Sequence, residues 1–188
     1  MATTAEFRSG MTIRLDGELY TIVEFQHVNP GNWRAFVRTK LKSLKTGKVI
    51  ENRFRAGEQV EVVRIDQREY QHLYRDGSSY VFMDRETYDQ ISIESSLIGE
   101  GGKFIKEGEL AEILFNGTEP IGVELPIVVD LKVTQTVPGI KGNTATGGSK
   151  PASVESGATV NVPLFINEGD IIRVDTRTGE YIERVKAA

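Results

Sequence analysis

Between Arg34 and Arg55 the chain carries eight Lys or Arg residues (Arg34, Arg38, Lys40, Lys42, Lys45, Lys48, Arg53 and Arg55) against one acid, Glu51. Guanidinium and ammonium groups at this density suit one chemistry above others: holding phosphate oxygens through charge-assisted hydrogen bonds while counterions are released. Directly ahead of them lies Pro30-Gly31-Asn32-Trp33-Arg34, a glycine-containing turn with the chain's only tryptophan. Arg38, Lys40 and Lys42, in the cationic strand pair that follows, are the candidate phosphate ligands. Such a charge run is about as often only a solvated strand face, so the residues alone suggest a partner without naming it.

The charge is polarised along the sequence. Residues 1–65 hold 11 basic and 7 acidic side chains, a net of +4, and residues 66–188 hold 12 and 20, a net of −8, which together give the overall −4. A cationic first third favours nucleic-acid phosphate, while the anionic remainder limits indiscriminate binding and makes orientation matter.

Other chemistries find no support. The absence of cysteine excludes disulfides, thiolate metal sites and cysteine nucleophiles, and leaves apolar cores to hold the fold. His27 and His72 are the only histidines and have no acid or cysteine at ligand spacing, so they read as structural, and neither a metal site nor a cofactor is expected. No Ser/His/acid arrangement, P-loop or dinucleotide fingerprint appears, and Gly99-Glu100-Gly101-Gly102 lacks the strand-then-helix context that makes glycines cradle phosphate. No catalytic residue is assigned. No apolar run approaches the roughly 18 residues of a membrane span, and the first residues lack the form of a signal peptide, so a soluble cytoplasmic protein is expected.

The elements that must position the cationic segment are short alternating runs punctuated by turn signals. Asp16-Gly17 separates Met11 to Leu15 from Glu18 to Phe25, and further turns are expected at Thr46-Gly47, Asp76-Gly77, Asn116-Gly117 and Thr178-Gly179. Helical signal is thin: one turn capped by Asp84 and another near residues 101–106. The pattern predicts an all-β chain with about five strands per third and boundaries near residues 65 and 127, each third having the strand count of a small barrel. Tyr70, Tyr74 and Tyr80 are either a stacking platform or, at strand spacing, core and cross-strand pairs, the second being the commoner arrangement. The segment from Pro138 to Pro151 is too long and glycine-rich for a simple connection.

Three blocks resemble bacterial elongation factor P: His27 to Phe36 with Arg38 to Lys42 and Thr46-Gly47-Lys48; Tyr70 to Gly77 with Tyr80 to Asp84; and Gly142 to Gly148 with Lys150 to Ala158, Val162 to Gly169 and Asp175 to Tyr181. The resemblance covers essentially the full length. It implies three small β-barrels in an L shape: an SH3-like or KOW-like N-terminal domain at 1–65, an OB-fold central domain at 66–127 and an OB-fold C-terminal domain at 128–188. It further implies a protein that mimics tRNA in outline, binds the ribosome, both subunits and their RNA, between the peptidyl-tRNA and exit sites, and stimulates peptide-bond formation at consecutive prolines by positioning peptidyl-tRNA. On this resemblance the protein is a monomer and not an enzyme, the loop Pro30 to Arg34 meets the end of peptidyl-tRNA, and Gly142, Asn143 and Thr144 form a loop toward the small subunit and codon.

The sequence departs from the family where a lysine or arginine is commonly extended by an enzyme. Asn32 occupies that position, so modification of the usual kind has no amine or guanidine to act on. Trp33 stands where glycine is usual, and Arg34 brings a charge two residues later. Three readings stay open: Trp33 packs across the hairpin and Arg34 is solvated; the unmodified pair replaces the missing extension, Trp33 stacking and Arg34 meeting phosphate; or an unknown modification falls on this loop, for example on Arg34. Asn143 stands where the family more often has aspartate. The rival functions are a general single-stranded nucleic-acid binding protein, which fits poorly with the −8 charge of residues 66–188, a specialised paralogue of the same fold, and a hydrolase, for which no nucleophile and base are recognisable.

Overall fold

The computed structural model describes residues 1–139 and 147–188. Asp16 and Gly17 have φ of 51° and 83°, the pair of left-handed conformations that a type I′ turn demands. They join β2 (Thr12–Leu15) to β3 (Glu18–Val28) as an antiparallel hairpin with Leu15 opposite Glu18. The other turns expected from the sequence also lie between paired strands, and the described residues form an all-β protein of sixteen strands in three sheets.

The first sheet has the order β1-β6-β2-β3-β4-β5, with β1 at Ala2–Thr3, β4 at Phe36–Ser43, β5 at Val49–Arg55 and β6 at Gln59–Val62. Side chains of β4 alternate between core and solvent, which is the two-residue period of a sheet with one wet face. The inner face delivers Ile13, Ile22, Val37, Leu41, Phe54 and Val60 to one apolar cluster, where the Phe7 and Phe54 rings meet edge to face at 5.4 Å. The two outer strands are brought together at Thr4, whose hydroxyl accepts the Gly57 N–H at 2.8 Å just beyond the end of β5. The sheet therefore curls around its core.

The second sheet has the order β11-β10-β7-β8-β9 (Glu119–Glu124, Leu110–Asn116, Asp66–Asp76, Ser79–Asp84 and Gln90–Glu94) and the third the order β14-β13-β12-β15-β16 (Thr159–Pro163, Ser149–Val154, Val128–Thr136, Ile171–Asp175 and Tyr181–Lys186). Among the described residues helix is confined to Ser95–Ile98 and the 3-10 turns Thr4–Glu6 and Glu100–Phe104. The turn at Asp84 is not a helix: its carboxylate accepts the N–H groups of Glu86 and Thr87, and the chain passes straight back into β9. Compactness divides the chain into two units, residues 1–67 with 114–122, and residues 68–113 with 123–188. In the second unit Phe104 lies in one apolar cluster with Val129, Leu131, Ile172 and Val174. Among the described residues no helix is long and apolar enough to cross a membrane.

Candidate nucleic-acid interface

A long ladder holds the loop at 29–35. β3 and β4 pair from Tyr20 opposite Ser43 to Val28 opposite Phe36, interrupted by one bulge between Ile22 and Glu24, so the loop is carried at the end of a continuous hairpin. Gly31 takes φ of 62° with open space beside it, and the Asn32 N–H donates to the Pro30 carbonyl. This tight reversal leaves Asn32, Trp33 and Arg34 all exposed. Trp33 is 82 % exposed, so it is not a packing residue across the hairpin. The indole at the hairpin tip is therefore open to solvent.

The outer face of β3, β4 and β5 is built in rungs. Nearest the loop stand Val28, Phe36 and Arg55; next come Gln26, Arg38 and Arg53; then Glu24, Lys40 and Glu51. The third rung is compensated internally. Lys40 Nζ lies 2.8 Å from Glu24 Oε2, and this hydrogen bond, reinforced by the charge attraction, lowers the Glu24 carboxyl and raises the Lys40 ammonium from their ordinary values. Lys40 is thus engaged by an acid, whereas Arg38 and Lys42 project outward with no ion pair to any described residue. Arg53, outside the three phosphate ligands expected from the sequence, stands directly opposite Arg38 with its guanidinium 5.4 Å from the Phe36 ring centre. The signal that could have found it is the β4–β5 register, which depends on how the turn at Thr46-Gly47 is closed and is hard to read from residue types alone.

The remaining candidates separate clearly. Gly142, Asn143 and Thr144 lie outside the described residues. Tyr70 and Tyr80 are buried and Tyr74 is exposed beyond a bulge, so the three do not form a shared stacking face. His72 is buried, its Nδ1 3.0 Å from the Lys106 carbonyl oxygen and its ring beside Tyr80 and Phe82, which is a packing role. The His27 ring stands edge-on to Phe25 at 5.9 Å. No cluster of His, Asp and Glu suited to a metal ion occurs among the described residues.

Three family models match in succession along the chain: the elongation factor P KOW-like domain at residues 3–60, the elongation factor P OB domain at 65–123, and the elongation factor P C-terminal model at 129–184. The chain belongs to the elongation factor P family. It is accordingly a translation elongation factor and not an enzyme. Elongation factor P of Chloroflexus aggregans is 56 % identical over 185 residues, covering 97 % of this chain and 98 % of the relative, and that of Natranaerobius thermophilus is 56 % identical over 186 residues, covering 99 % of each. Among solved structures the chain resembles the eukaryotic-type translation initiation factor 5A of Methanococcus jannaschii, with TM-score 0.50 and 23 % identity over 65 % of this chain and 94 % of that one. A translation initiation factor 5A family protein from Naegleria fowleri gives TM-score 0.53 at 14 % identity, over 66 % and 96 % of the two chains. At these identities the likeness is one of fold. The loop and the cationic rungs both fall inside the KOW-like match of this elongation factor P chain.

Proposed function

We propose that this protein acts in the cytoplasm as a monomer, binds the ribosome between the peptidyl-tRNA and exit sites, and speeds peptide-bond formation at consecutive prolines by positioning peptidyl-tRNA. Proline is a poor partner in that reaction because its ring fixes φ and restricts the approach of the amine. Holding the acceptor end of peptidyl-tRNA in a productive pose lowers the barrier through orientation and entropy, with the ribosome performing the chemistry.

The observation that carries this reading at the residue level is the exposure of Trp33 beside Arg34 at the tip of a long hairpin. With Asn32 unable to accept the usual extension, the indole supplies a stacking plane and the guanidinium meets phosphate, so the loop works without modification. Arg38 and Lys42 continue the cationic surface below it. The loop of Gly142, Asn143 and Thr144 is assigned to the small-subunit side on the family resemblance alone.

The test is the rate of Pro-Pro-Pro synthesis on purified ribosomes, with and without protein made in a host that lacks modifying enzymes. Strong acceleration by the unmodified protein is expected. Activity that appears only after expression in the native host, accompanied by added mass on residues 30–34, overturns the unmodified-loop reading; no acceleration by either preparation overturns the proline-stalling function and leaves a specialised paralogue.

A further inference from the structure

Arg38 and Arg53 occupy the same rung of the β4–β5 ladder. Directly opposed residues on antiparallel strands have Cα atoms only ~4.5–5.5 Å apart, and like charges there destabilise the sheet. Neither arginine has a carboxylate partner among the described residues, although the next rung shows how this same sheet neutralises a cation, with Glu24 and Glu51 flanking Lys40. The acids are therefore present one rung away and absent from the rung that carries the two arginines. The third member of the rung is Gln26, an amide that both donates and accepts. Phe36 on the adjoining rung lies under the Arg53 guanidinium at 5.4 Å, which restrains the side chain before any ligand arrives. The pair lies on the loop side of the compensated rung, on the face that leads to Arg55 and to the exposed Arg34.

We propose that the Arg38–Arg53 rung is a clamp for an RNA phosphodiester, in which one anionic phosphate relieves the repulsion between the two guanidiniums and the Gln26 amide holds a further oxygen or a 2′-hydroxyl. Arginine rather than lysine suits the task, because a planar fork engages two phosphate oxygens at once. Lys40 is not part of the clamp. The inference rests on the ribosomal reading above and deepens it by assigning the residues that fix the phosphate backbone, distinct from the loop tip that meets the acceptor end. The phosphate belongs either to ribosomal RNA or to peptidyl-tRNA, and both present the same chemistry.

The test compares wild type, Arg38→Gln, Arg53→Gln and Arg14→Gln, each measured for thermal stability and for binding to 70S ribosomes over a range of salt, with the peptidyl site either empty or filled by initiator tRNA. Arg14 is the control, an arginine of β2 already paired with Glu61. Each clamp variant is expected to melt no lower than wild type, to bind several-fold more weakly, and to lower the slope of log affinity against log salt by roughly 0.7 to 0.9, the value of one phosphate left unneutralised. Arg14→Gln should change neither binding quantity. A weakening confined to tRNA-filled ribosomes supports the clamp and assigns it to tRNA, and a weakening in both states supports it and assigns it to ribosomal RNA. Unchanged affinity and slope in the clamp variants, while Trp33→Ala still impairs binding, overturns the clamp and leaves the loop reading standing. Wild-type protein that fails to bind either ribosome overturns both.

Discussion

Phe104 seals against Gly179: a Cβ built on Gly179 would lie 2.9 Å from Phe104 Cζ, closer than such atoms pack. Phe104 ends a 3-10 turn and is 2 % exposed in the same cluster as Val129, Leu131, Ile172 and Val174, and Gly179 closes the turn between β15 and β16 with φ of 74°. Two independent demands meet at this glycine, a left-handed backbone and room for an aromatic edge. Gly179→Ala should cost about 1–2 kcal/mol for the backbone and a further ~1–3 kcal/mol for overpacking. Phe104→Ala should cost about 3–5 kcal/mol through the cavity it leaves. Urea unfolding measures both, and a Gly179→Ala protein as stable as wild type would remove the argument.

Much of this was legible from the sequence, for a reason that Asp16-Gly17 illustrates. Turns whose residues must adopt positive φ announce themselves, and the alternating runs between them have a period only a sheet uses. What stayed hidden depends on register and tertiary packing. Phe104 sits in a glycine-rich stretch with no periodicity, yet it enters an apolar cluster built mostly from strands distant in sequence. Lys150 looks like a surface cation but is buried, its Nζ donating to the Val137 carbonyl at 2.7 Å. The loop at 30–34 was found by residue type, whereas the exposure of Trp33 and the opposition of Arg38 and Arg53 follow from how the hairpins close.

Acid should loosen the third sheet before neutral conditions trouble it. The hydrogen bond from the Arg177 side chain, aided by backbone N–H groups, holds the Asp175 carboxyl down at about 2 from 3.8. Arg173 donates to both oxygens of Asp130 at 2.8 and 3.1 Å and lowers it too. Burial pushes Asp170 upward, but the N–H groups of Asn167 and Ala188, together with Arg184, outweigh it and leave the group lowered. Folded values below unfolded ones mean that this stabilisation is fully present above about pH 4 and is lost as pH falls through the folded values toward 2. Melting temperature should fall steadily across that window, and Asp175→Asn should flatten the dependence. An Asp175→Asn curve parallel to wild type would show that this carboxylate is not responsible.

Tyr88, like Asp16, is a non-glycine residue at positive φ, 64°, and it is 70 % exposed. The strain is held by Asp84, whose carboxylate receives the N–H groups of Glu86 at 2.7 Å and Thr87 at 3.2 Å, and whose carbonyl receives that of Tyr88 at 3.0 Å. Asp84→Ala should lose about 0.5–2 kcal/mol, as the loss of a capping oxygen does. Tyr88→Gly should instead gain on the order of 1 kcal/mol by relieving the left-handed tyrosine. Thermal melts of the two variants moving in the same direction would contradict this division of roles.

Trp33 separates function from stability most cleanly. Its side chain is in water, so Trp33→Ala should leave unfolding within about 0.5 kcal/mol of wild type, as for a surface substitution. If the indole stacks on RNA, its removal should weaken productive binding by about 1–3 kcal/mol, a roughly fivefold to 150-fold rise in the concentration giving half-maximal Pro-Pro-Pro synthesis. Trp33→Phe keeps a smaller aromatic plane and should recover part of the loss, while Trp33→Leu, apolar but without a face to stack, should not. Recovery by leucine equal to that by phenylalanine would mean that burial of apolar surface, and not stacking, is what the tip supplies. A stability loss in Trp33→Ala large enough to explain the activity would return the residue to a packing role.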